Sequence, residues 1–407
     1  MNTETSINSA NLMASKIVSE TSNIVSKIKE NTIIKKIEVV KVEIINVNIL
    51  WTQLLLYDGD VLPIKIDILK NITKPLIKNI YLSPGSGLNT ETNFITPKNK
   101  NLAIFLAKKG YLVVGVTPRE DAATLSFNFE LMKDWGLTKH TNDFSEIIDI
   151  FQNISNIDYD VLGHSAGAGV VLNYSSITTN NNKLKVARII DMIGQYPPNS
   201  QEFQNAQASL NATNQVINGG LFINTDNVGI KFLVQQAITN PTGDSGFPRP
   251  TTGNFTNEGL VFFSLIFTGQ LPGILTPITG LPSNWYLKQG YLAGTYEFGP
   301  TPQEDIYSLT HTDIQTIYNS IGSLGSGIYP LIYDSYATWI GSFPLQFANI
   351  KVPVFYINTD LGFGDASHTV SLLTNATVTY AIVNTYGHAD PVYSKTARTD
   401  FWGKLVP

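Results

Sequence analysis

The feature that most constrains this chain is a short apolar run that ends in Gly163–Gly167, with the sequence Gly-His-Ser-Ala-Gly. An Ala-, Gly- and Val-rich stretch that predicts a helix follows at once, so Ser165 lies on a sharp turn between a strand and a helix. Such a turn strains its central residue and leaves little room for neighbouring side chains, a demand that Gly163 and Gly167 meet. The pattern predicts a nucleophile elbow; the alternative is a tight turn whose serine only caps the helix.

Composition excludes several classes of site. At 407 residues the chain exceeds the usual size of one compact core, so we expect a main domain with a large insertion. The net charge is -5 and the basic residues form no long block, which argues against a nucleic-acid partner. The absence of cysteine excludes disulfides, thiolate metal sites and a cysteine nucleophile. The sequence has no metal-ligand spacing, phosphate loop or dinucleotide fingerprint, so we expect no metal and no cofactor.

Strand and helix patterns alternate along much of the chain. Strands are predicted at 33–50, 51–57, 62–69, 79–82, 111–116, 161–162, 185–193, 350–357 and 378–383. Helices are predicted at 101–109, 142–154 and 394–405. We expect the first three strands to be antiparallel and the later ones, which helices separate, to form a largely parallel sheet.

This alternation stops at residue 197 and resumes near 350. The segment between is rich in Pro, Gly, Asn and Thr, with scattered aromatic residues, and indicates an inserted, mainly helical and loop-rich cap. The expected organisation is an N-terminal extension at 1–45, a core at 46–196 and 347–407, and a cap at 197–346. Six aromatic residues could line an apolar pocket, although most aromatics pack in cores: Trp135, Trp285, Tyr286, Tyr291, Tyr296 and Trp339.

Two segments raise the question of a membrane. The amphipathic pattern at 12–30 favours a helix that docks on this protein or on a partner, rather than a surface anchor. The apolar segment 260–272 is interrupted by Gly269, Gln270 and Pro272 well before a span of about 20 residues, so it predicts a buried helix or an apolar wall. We expect no integral membrane segment. Since the N-terminus lacks a secretory pattern, we expect a cytoplasmic protein.

A serine nucleophile needs a base, and the chain has only five histidines. His388 stands in a loop after the last predicted strand, at the same carboxyl edge of the sheet as the elbow. His164 adjoins the serine, but neighbours on a sharp turn diverge. His140 and His311 fit structural roles better, and His368 is a second choice. The sequence therefore predicts His388 as the general base.

The histidine also needs a carboxylate that orients it, and the chain order expected for an elbow of this kind is nucleophile, acid, histidine. Asp360 and Asp365 both follow the penultimate predicted strand. We favour Asp365, because the glycines just before it would let the loop curl toward the histidine, and keep Asp360 as the alternative. Asp390 is too close to His388 along the chain, and Asp191 is interpreted as a polar residue at a strand end.

Backbone amides can stabilise the oxyanion that forms when a carbonyl is attacked. The glycine-rich segment Pro84–Gly87 follows an early predicted strand, where its amides can point into the site. The predicted pair of donors is the N–H of Ser86 and the N–H of Ala166, the residue after the nucleophile. The alternative is an ordinary glycine turn at Pro84–Gly87.

Taken together, these motifs resemble the α/β-hydrolase fold superfamily, in its serine-nucleophile, esterase- and lipase-like form. The resemblance rests on Pro84–Gly87, on 106–114, on the elbow, on 352–354 and on the Gly-His-Ala-Asp sequence at 387–390, and it spans about 80–195 and 350–407. It implies a mostly parallel central sheet flanked by helices, with the insertion in the place of the family's cap. This chain departs from the family in having Pro84-Gly85 where His-Gly is usual.

The residues and the resemblance together predict a serine hydrolase that cleaves an ester or thioester through a Ser-His-Asp triad. The aliphatic and aromatic content of the cap favours an apolar acyl group or a lipid-like alcohol as part of a small-molecule substrate. An acyltransferase or a biosynthetic thioesterase would use the same residues. A non-catalytic ligand-binding protein of this fold is a further alternative, although a pure binder has no need of the whole triad.

Overall fold

A nine-stranded sheet forms the centre of the computed structural model, which describes residues 3–178, 181–225, 227–249, 252–267, 287–298, 306–322 and 327–406. The strands of the first half are β1 (Lys36–Ile45), β2 (Ile49–Tyr57), β3 (Ile64–Asn71), β4 (Lys78–Ser83), β5 (Tyr111–Thr117), β6 (Tyr159–His164) and β7 (Leu184–Ile190). Those of the second half are β8 (Ile223–Asn224), β9 (Asp244–Pro248), β10 (Asn254–Thr256), β11 (Tyr296–Phe298), β12 (Ile306–Leu309), β13 (Gly327–Ile328), β14 (Val354–Thr359) and β15 (Val378–Val383).

The order of strands across the sheet is β1-β2-β3-β5-β4-β6-β7-β14-β15. The pairs from β1 to β5 along this order are antiparallel, and every pair from β5 to β15 is parallel. Both predictions for the sheet are therefore confirmed. The carboxyl ends of β4, β6, β7 and β14 lie side by side, which is the edge where parallel sheets form their sites.

Helices cover both faces of this sheet. In chain order, the α-helices of the described residues are α1 (Thr3–Lys29), α2 (Thr90–Phe94), α3 (Leu102–Lys108), α4 (Leu137–Ser155), α5 (Ala166–Ile177), α6 (Gln201–Asn218), α7 (Asn227–Thr239), α8 (Asn257–Ile266), α9 (Ile314–Ser320), α10 (Tyr329–Trp339), α11 (Ser367–Leu372), α12 (Asp390–Tyr393) and α13 (Gly403–Leu405). A π-helical turn at Arg398–Trp402 precedes α13, so the helix predicted at 394–405 begins later than expected.

The alternation of side chains along each strand divides the core into two layers. Ile80 and Leu82 of β4 pack with α3 and the C-terminal turns on one face, whereas Tyr81, between them, packs with α4 and α5 on the other. All residues of β5 and β6 are buried. Burial on both faces explains why these strands are near-continuous apolar runs in the sequence.

The N-terminal segment contributes to the sheet. β1 lies at its edge and pairs with β2 along its length, so the boundary expected at residue 46 falls inside a hairpin. The predicted docking helix is present as α1, whose Ile28 is buried in the main core. An ion pair between Lys70 and Glu20, with 2.7 Å between Nζ and Oε2, ties the same helix to β3.

The segment expected to form the cap, residues 197–346, packs in two distinct ways in its described parts. α6 and α10 belong to the main hydrophobic core, through residues such as Leu210 and Leu331. α7, α8 and α9 instead form small apolar clusters of their own, and we refer to them as the α7–α9 unit. The buried helix predicted within 260–272 is confirmed by α8, but residues 268–272 of that segment lie outside the described residues, as do Trp285 and Tyr286. Among the described residues, no helix is long and apolar enough to cross a membrane.

Candidate active site

The strand, turn and helix predicted around Ser165 are confirmed. Ser165 joins β6 to α5 with φ of 56° and ψ of -128°, a left-handed conformation that strains any residue other than glycine. A Cβ atom on Gly163 would lie 2.2 Å from the carbonyl oxygen of Gly167, and one on Gly167 would lie 2.1 Å from that of Ser83. Both positions therefore require glycine, because the backbone approaches too closely for a side chain.

The side chain of His388 is bonded to a carboxylate. Its Nδ1 lies 2.6 Å from Oδ2 of Asp191, which follows β7 and is fully buried. The bond orients the imidazole and fixes the proton on Nδ1, leaving Nε2 as the basic nitrogen. Ser165 and His388 line the same cavity. The structure thus brings the predicted nucleophile and the predicted base to one site.

Asp191 is itself held by several donors. Its Oδ1 accepts hydrogen bonds from the backbone N–H and the hydroxyl of Thr359, at 2.7 and 3.0 Å, and its Oδ2 accepts from the N–H of Phe363 at 3.3 Å. A Cβ atom on Gly362 would lie 2.2 Å from Oδ2, so this position must be glycine for the loop after β14 to approach the carboxylate. These contacts satisfy a buried carboxylate that would otherwise be costly.

The expectation that Asp365 or Asp360 pairs with His388 is wrong. Asp365 is exposed and accepts hydrogen bonds from Ser367, at the start of α11, and from Tyr380. The carboxylate of Asp360 accepts from the N–H of Leu361. Asp191 takes the place by the imidazole because β7 lies between β6 and β14, so its carboxyl end also reaches the histidine loop.

Three aromatic rings surround the imidazole of His388. The ring of His164 stacks on it with centroids 4.7 Å apart, and the ring of Tyr291 stacks on it at 5.0 Å. The edge of Phe363 meets it at 5.1 Å and 86°. Tyr291 was among the aromatics expected to line a pocket, but no sequence motif predicted its contact with His388. Together these rings restrict rotation of the imidazole.

His164 lies in a chain of hydrogen bonds between two loops of the site. The N–H of Gly85 donates to Asn93 Oδ1 at 2.9 Å, Asn93 Nδ2 donates to His164 Nδ1 at 3.1 Å, and His164 Nε2 donates to the carbonyl oxygen of His388 at 2.9 Å. Burial, reinforced by the neighbouring His388, lowers the pKa of His164 to about 3, so its ring stays neutral. A neutral ring can both accept and donate, as this position requires.

The two predicted oxyanion donors lie beside the nucleophile. Ser86 and Ala166 line a common cavity with Ser165, and within the described residues neither backbone N–H has a protein acceptor. Ala166 begins α5, so its amide is one of the free donors of a helix N-terminus. The hydroxyl of Ser86 is also buried and lacks a partner among the described residues. All three groups are available to a substrate oxygen.

The remaining histidines lie elsewhere or serve structure. His140 bonds to Glu120 at 3.0 Å and to the carbonyl oxygen of Gly136 at 2.8 Å. His311 stacks on Tyr386, with ring centroids 3.9 Å apart. His368 lies in α11, away from the two cavities that Ser165 lines.

Comparisons with known proteins support the fold. No family model and no curated protein sequence matches the chain. The crystal structure of a candidate lipase from Sulfolobus solfataricus is 16% identical, with a TM-score of 0.59 and coverage of 91% of this chain and 98% of the other. The chain has the α/β-hydrolase fold. Lower similarity, at a TM-score of 0.46, relates it to a thermostable carboxyl esterase from Bacillus coagulans and to an epoxide hydrolase from Vigna radiata. The former is 12% identical and the latter 14%, covering 86% and 91% of this chain and 93% and 97% of theirs.

Two cavities of this protein meet at Ser165. The large cavity, of about 290 Å³, also reaches His388 and is covered by the α7–α9 unit. The small cavity, of about 110 Å³, reaches Ala166 and is covered by α10. Ser165, the predicted nucleophile, therefore lies at the junction of two cavities with different walls.

Residues of the expected cap segment also hold the loop that carries His388. The N–H of His388 donates to the carbonyl oxygen of Tyr291 at 2.5 Å, and the N–H of Ala389 donates to that of Leu292 at 2.9 Å. The buried carboxylate of Asp390 accepts from the N–H of Gly387 at 2.8 Å and from the hydroxyl of Thr312 at 2.7 Å. The position of the base thus depends on both the core and the cap.

Proposed function

We propose that this protein is a serine hydrolase that cleaves carboxylic esters with an apolar part, through an acyl-enzyme formed on Ser165. His388 is the general base and Asp191 the acid that orients it. The observation that carries the proposal is the buried 2.6 Å bond between Asp191 and His388 at a cavity shared with a strained serine. Backbone strain at a half-buried serine is costly, and a buried carboxylate paired with an imidazole is specialised; their coincidence fits catalysis.

In the first half-reaction, Ser165 Oγ forms a bond to the ester carbonyl carbon while His388 Nε2 takes the hydroxyl proton. The carbonyl π electrons move to the oxygen, whose negative charge the amides of Ser86 and Ala166 stabilise. Asp191 stays ionised and stabilises the imidazolium. The bond to the alcohol oxygen then breaks, His388 returns the proton to that oxygen, and the alcohol leaves.

In the second half-reaction a water molecule takes the place of the alcohol. His388 removes its proton as the water oxygen attacks the acyl carbon, and the oxyanion forms again at the same donors. Collapse breaks the bond to Ser165 Oγ, which regains a proton from His388. The products are one carboxylic acid and one alcohol for each water consumed. A thioester would follow the same steps with a thiol as leaving group.

The first test is Ser165→Ala, assayed with p-nitrophenyl butyrate. We expect hydrolysis to fall by about 10³-fold or more, because no other group can form the acyl-enzyme. Circular dichroism should show an unchanged fold. Ser264→Ala is the matched control: this serine lines the same cavity, but its hydroxyl bonds to the carbonyl oxygen of Leu260 within α8. Retained turnover in Ser165→Ala would rule out the proposed nucleophile.

A further inference from the structure

The two cavities at Ser165 differ in size. The large cavity has a volume of about 290 Å³ and the small cavity one of about 110 Å³, so the large cavity holds a longer part of a ligand than the small one. Because Ser165 lines both cavities, a substrate whose carbonyl carbon it attacks can extend into both. The space therefore suits a molecule with unequal parts on either side of the carbonyl.

The large cavity has an apolar wall. The α7–α9 unit contributes Leu233, Leu260 and Val261 among others. The hydroxyl groups of its polar lining residues beyond the catalytic centre are already engaged within the protein. Ser264 bonds to the carbonyl oxygen of Leu260 and Ser320 to that of Ile317, each at 2.7 Å. Since the described residues of this wall offer few free hydrogen-bonding groups to a polar ligand, the part of the substrate bound there should be a hydrocarbon.

The small cavity is confined by aromatic rings. Tyr336 and Trp339 pack edge to face with centroids 5.2 Å apart, and Trp339 packs on Phe363 in the same way at 5.5 Å. All three residues line the cavity, and Tyr336 and Trp339 belong to α10, which is part of the main core. Because aromatic rings that pack against each other in a close-packed core move little, the cavity cannot easily enlarge, and it should admit only a short group.

The position of His388 decides which part of the ester goes where. The leaving oxygen must lie within hydrogen-bond reach of the imidazole, since His388 gives it a proton. His388 lines only the large cavity; of the two oxyanion donors, Ser86 lines both cavities and Ala166 lines only the small one. We propose, as an extension of the function proposed above, that the substrate is an ester of a short acyl group with a larger, apolar alcohol.

The test compares two esters of equal size, one with the long chain in the alcohol and the other with the long chain in the acyl group. Octyl acetate and ethyl octanoate have the same number of carbon atoms, and the acid that each releases can be titrated at constant pH. We expect kcat/KM for octyl acetate to exceed that for ethyl octanoate by about 10-fold or more, since one or two misfitting methylene groups already cost that much in a hydrophobic pocket. Within the p-nitrophenyl esters, kcat/KM should fall from butyrate to octanoate.

Two matched variants place the preference in the two cavities. Ser264 in α8 lines the large cavity and Ser335 in α10 lines the small one. Among the described residues, each hydroxyl bonds only to a carbonyl oxygen one turn earlier in its own helix, at 2.7 Å for Ser264 and 2.8 Å for Ser335. Ser264→Phe should lower kcat/KM for octyl acetate about 10-fold while changing that for ethyl acetate little. Ser335→Phe should lower kcat/KM for p-nitrophenyl butyrate far more than for the acetate.

The possible results separate this inference from the proposed function. If ethyl octanoate is the better substrate or the two esters are equal, and hydrolysis still depends on Ser165, the assignment of the cavities is overturned and the hydrolase stands. If Ser264→Phe and Ser335→Phe affect all esters alike, the assignment is likewise overturned. If no ester is hydrolysed above the rate of Ser165→Ala, both proposals fall.

Discussion

The α/β core and the α7–α9 unit of the cap are built in different ways. In the core, β5 and β6 are buried throughout, and α5 packs against β6 within the larger of the two apolar layers. The α7–α9 unit has small clusters of its own, around Phe263 and Val234, and one of its sides faces the large cavity. Such a unit can change its cavity wall without disturbing the sheet. We infer that the core fixes the chemistry and the α7–α9 unit selects the substrate.

This division predicts that the largest effect comes from a core residue outside the α7–α9 unit. Asp191→Asn should lower kcat by about 10³- to 10⁴-fold for every ester, because an amide favours the wrong tautomer of His388. Steady-state kinetics with short and long esters would measure this. A loss confined to one class of ester would contradict the division.

Asp365→Asn and Asp360→Asn are the matched controls for Asp191→Asn. Each removes one carboxylate charge from a loop at the same edge of the sheet, but neither side chain contacts the imidazole. We expect kcat to stay within about twofold of the wild type. A large loss in either variant would show that the loop after β14 supplies the acid after all.

An intermediate effect is expected where the cap holds the histidine loop. Thr312→Val keeps the shape of the side chain but removes the hydroxyl that donates to the buried Asp390. Leaving the buried Oδ1 of Asp390 without this donor costs about 1–3 kcal/mol, and the resulting shift of the loop should lower kcat about 10-fold with a smaller change in KM. Steady-state kinetics would separate the two constants.

Thr316→Val serves as the control for Thr312→Val. Its hydroxyl bonds to Asp313 within the cap, at 3.0 Å, and the residue does not line either cavity at Ser165. This variant should leave kcat unchanged even if it lowers the melting temperature. Equal losses of kcat in both variants would mean that general stability of the cap, rather than the bond to Asp390, supports the base.

The smallest effect on turnover is expected at His140, whose role is structural. Burial opposes its charge, but the adjacent Glu120 outweighs burial and raises the pKa of His140 to about 9. The folded state therefore holds this proton more tightly than the unfolded chain, where the pKa is about 6.5. Its contribution to stability is complete below about pH 6.5 and is lost as the pH rises through about 9.

His140→Gln should remove this dependence. The difference in free energy of unfolding between wild type and variant, measured by urea denaturation, should be largest near pH 6 and shrink toward pH 10. Ester hydrolysis by the folded variant should stay close to that of the wild type. A difference that grows with pH would show that the charged pair does not form.

The sequence predicts much of the core because its signals are local. The apolar runs that become β5 and β6, the glycines around Ser165 and the loop of His388 each follow from neighbouring residues. The acid is different. A single aspartate after an apolar strand looks the same whether it caps the strand or faces a histidine, and only the adjacency of β7 and β14 distinguishes Asp191 from Asp365.

Other features of the site depend on contacts between distant segments. Asn93, from α2, bonds to His164, and Tyr291, from the segment between 197 and 346, stacks on His388; no motif marks either of them. The two cavities likewise result from how the α7–α9 unit and α10 settle on the core. The sequence carries one local feature at Asp191: it is the only acidic residue in the predicted strand at 185–193.

The central claim is that Asp191 and His388 activate Ser165. The most direct test is to measure the rate at which a fluorophosphonate probe labels each protein and to locate the label by peptide mass spectrometry. We predict that the wild type and Asp365→Asn are labelled on Ser165 at the same rate, and that Asp191→Asn is labelled about 10³-fold more slowly. Equal labelling of Asp191→Asn, or a label on another residue, would contradict the account.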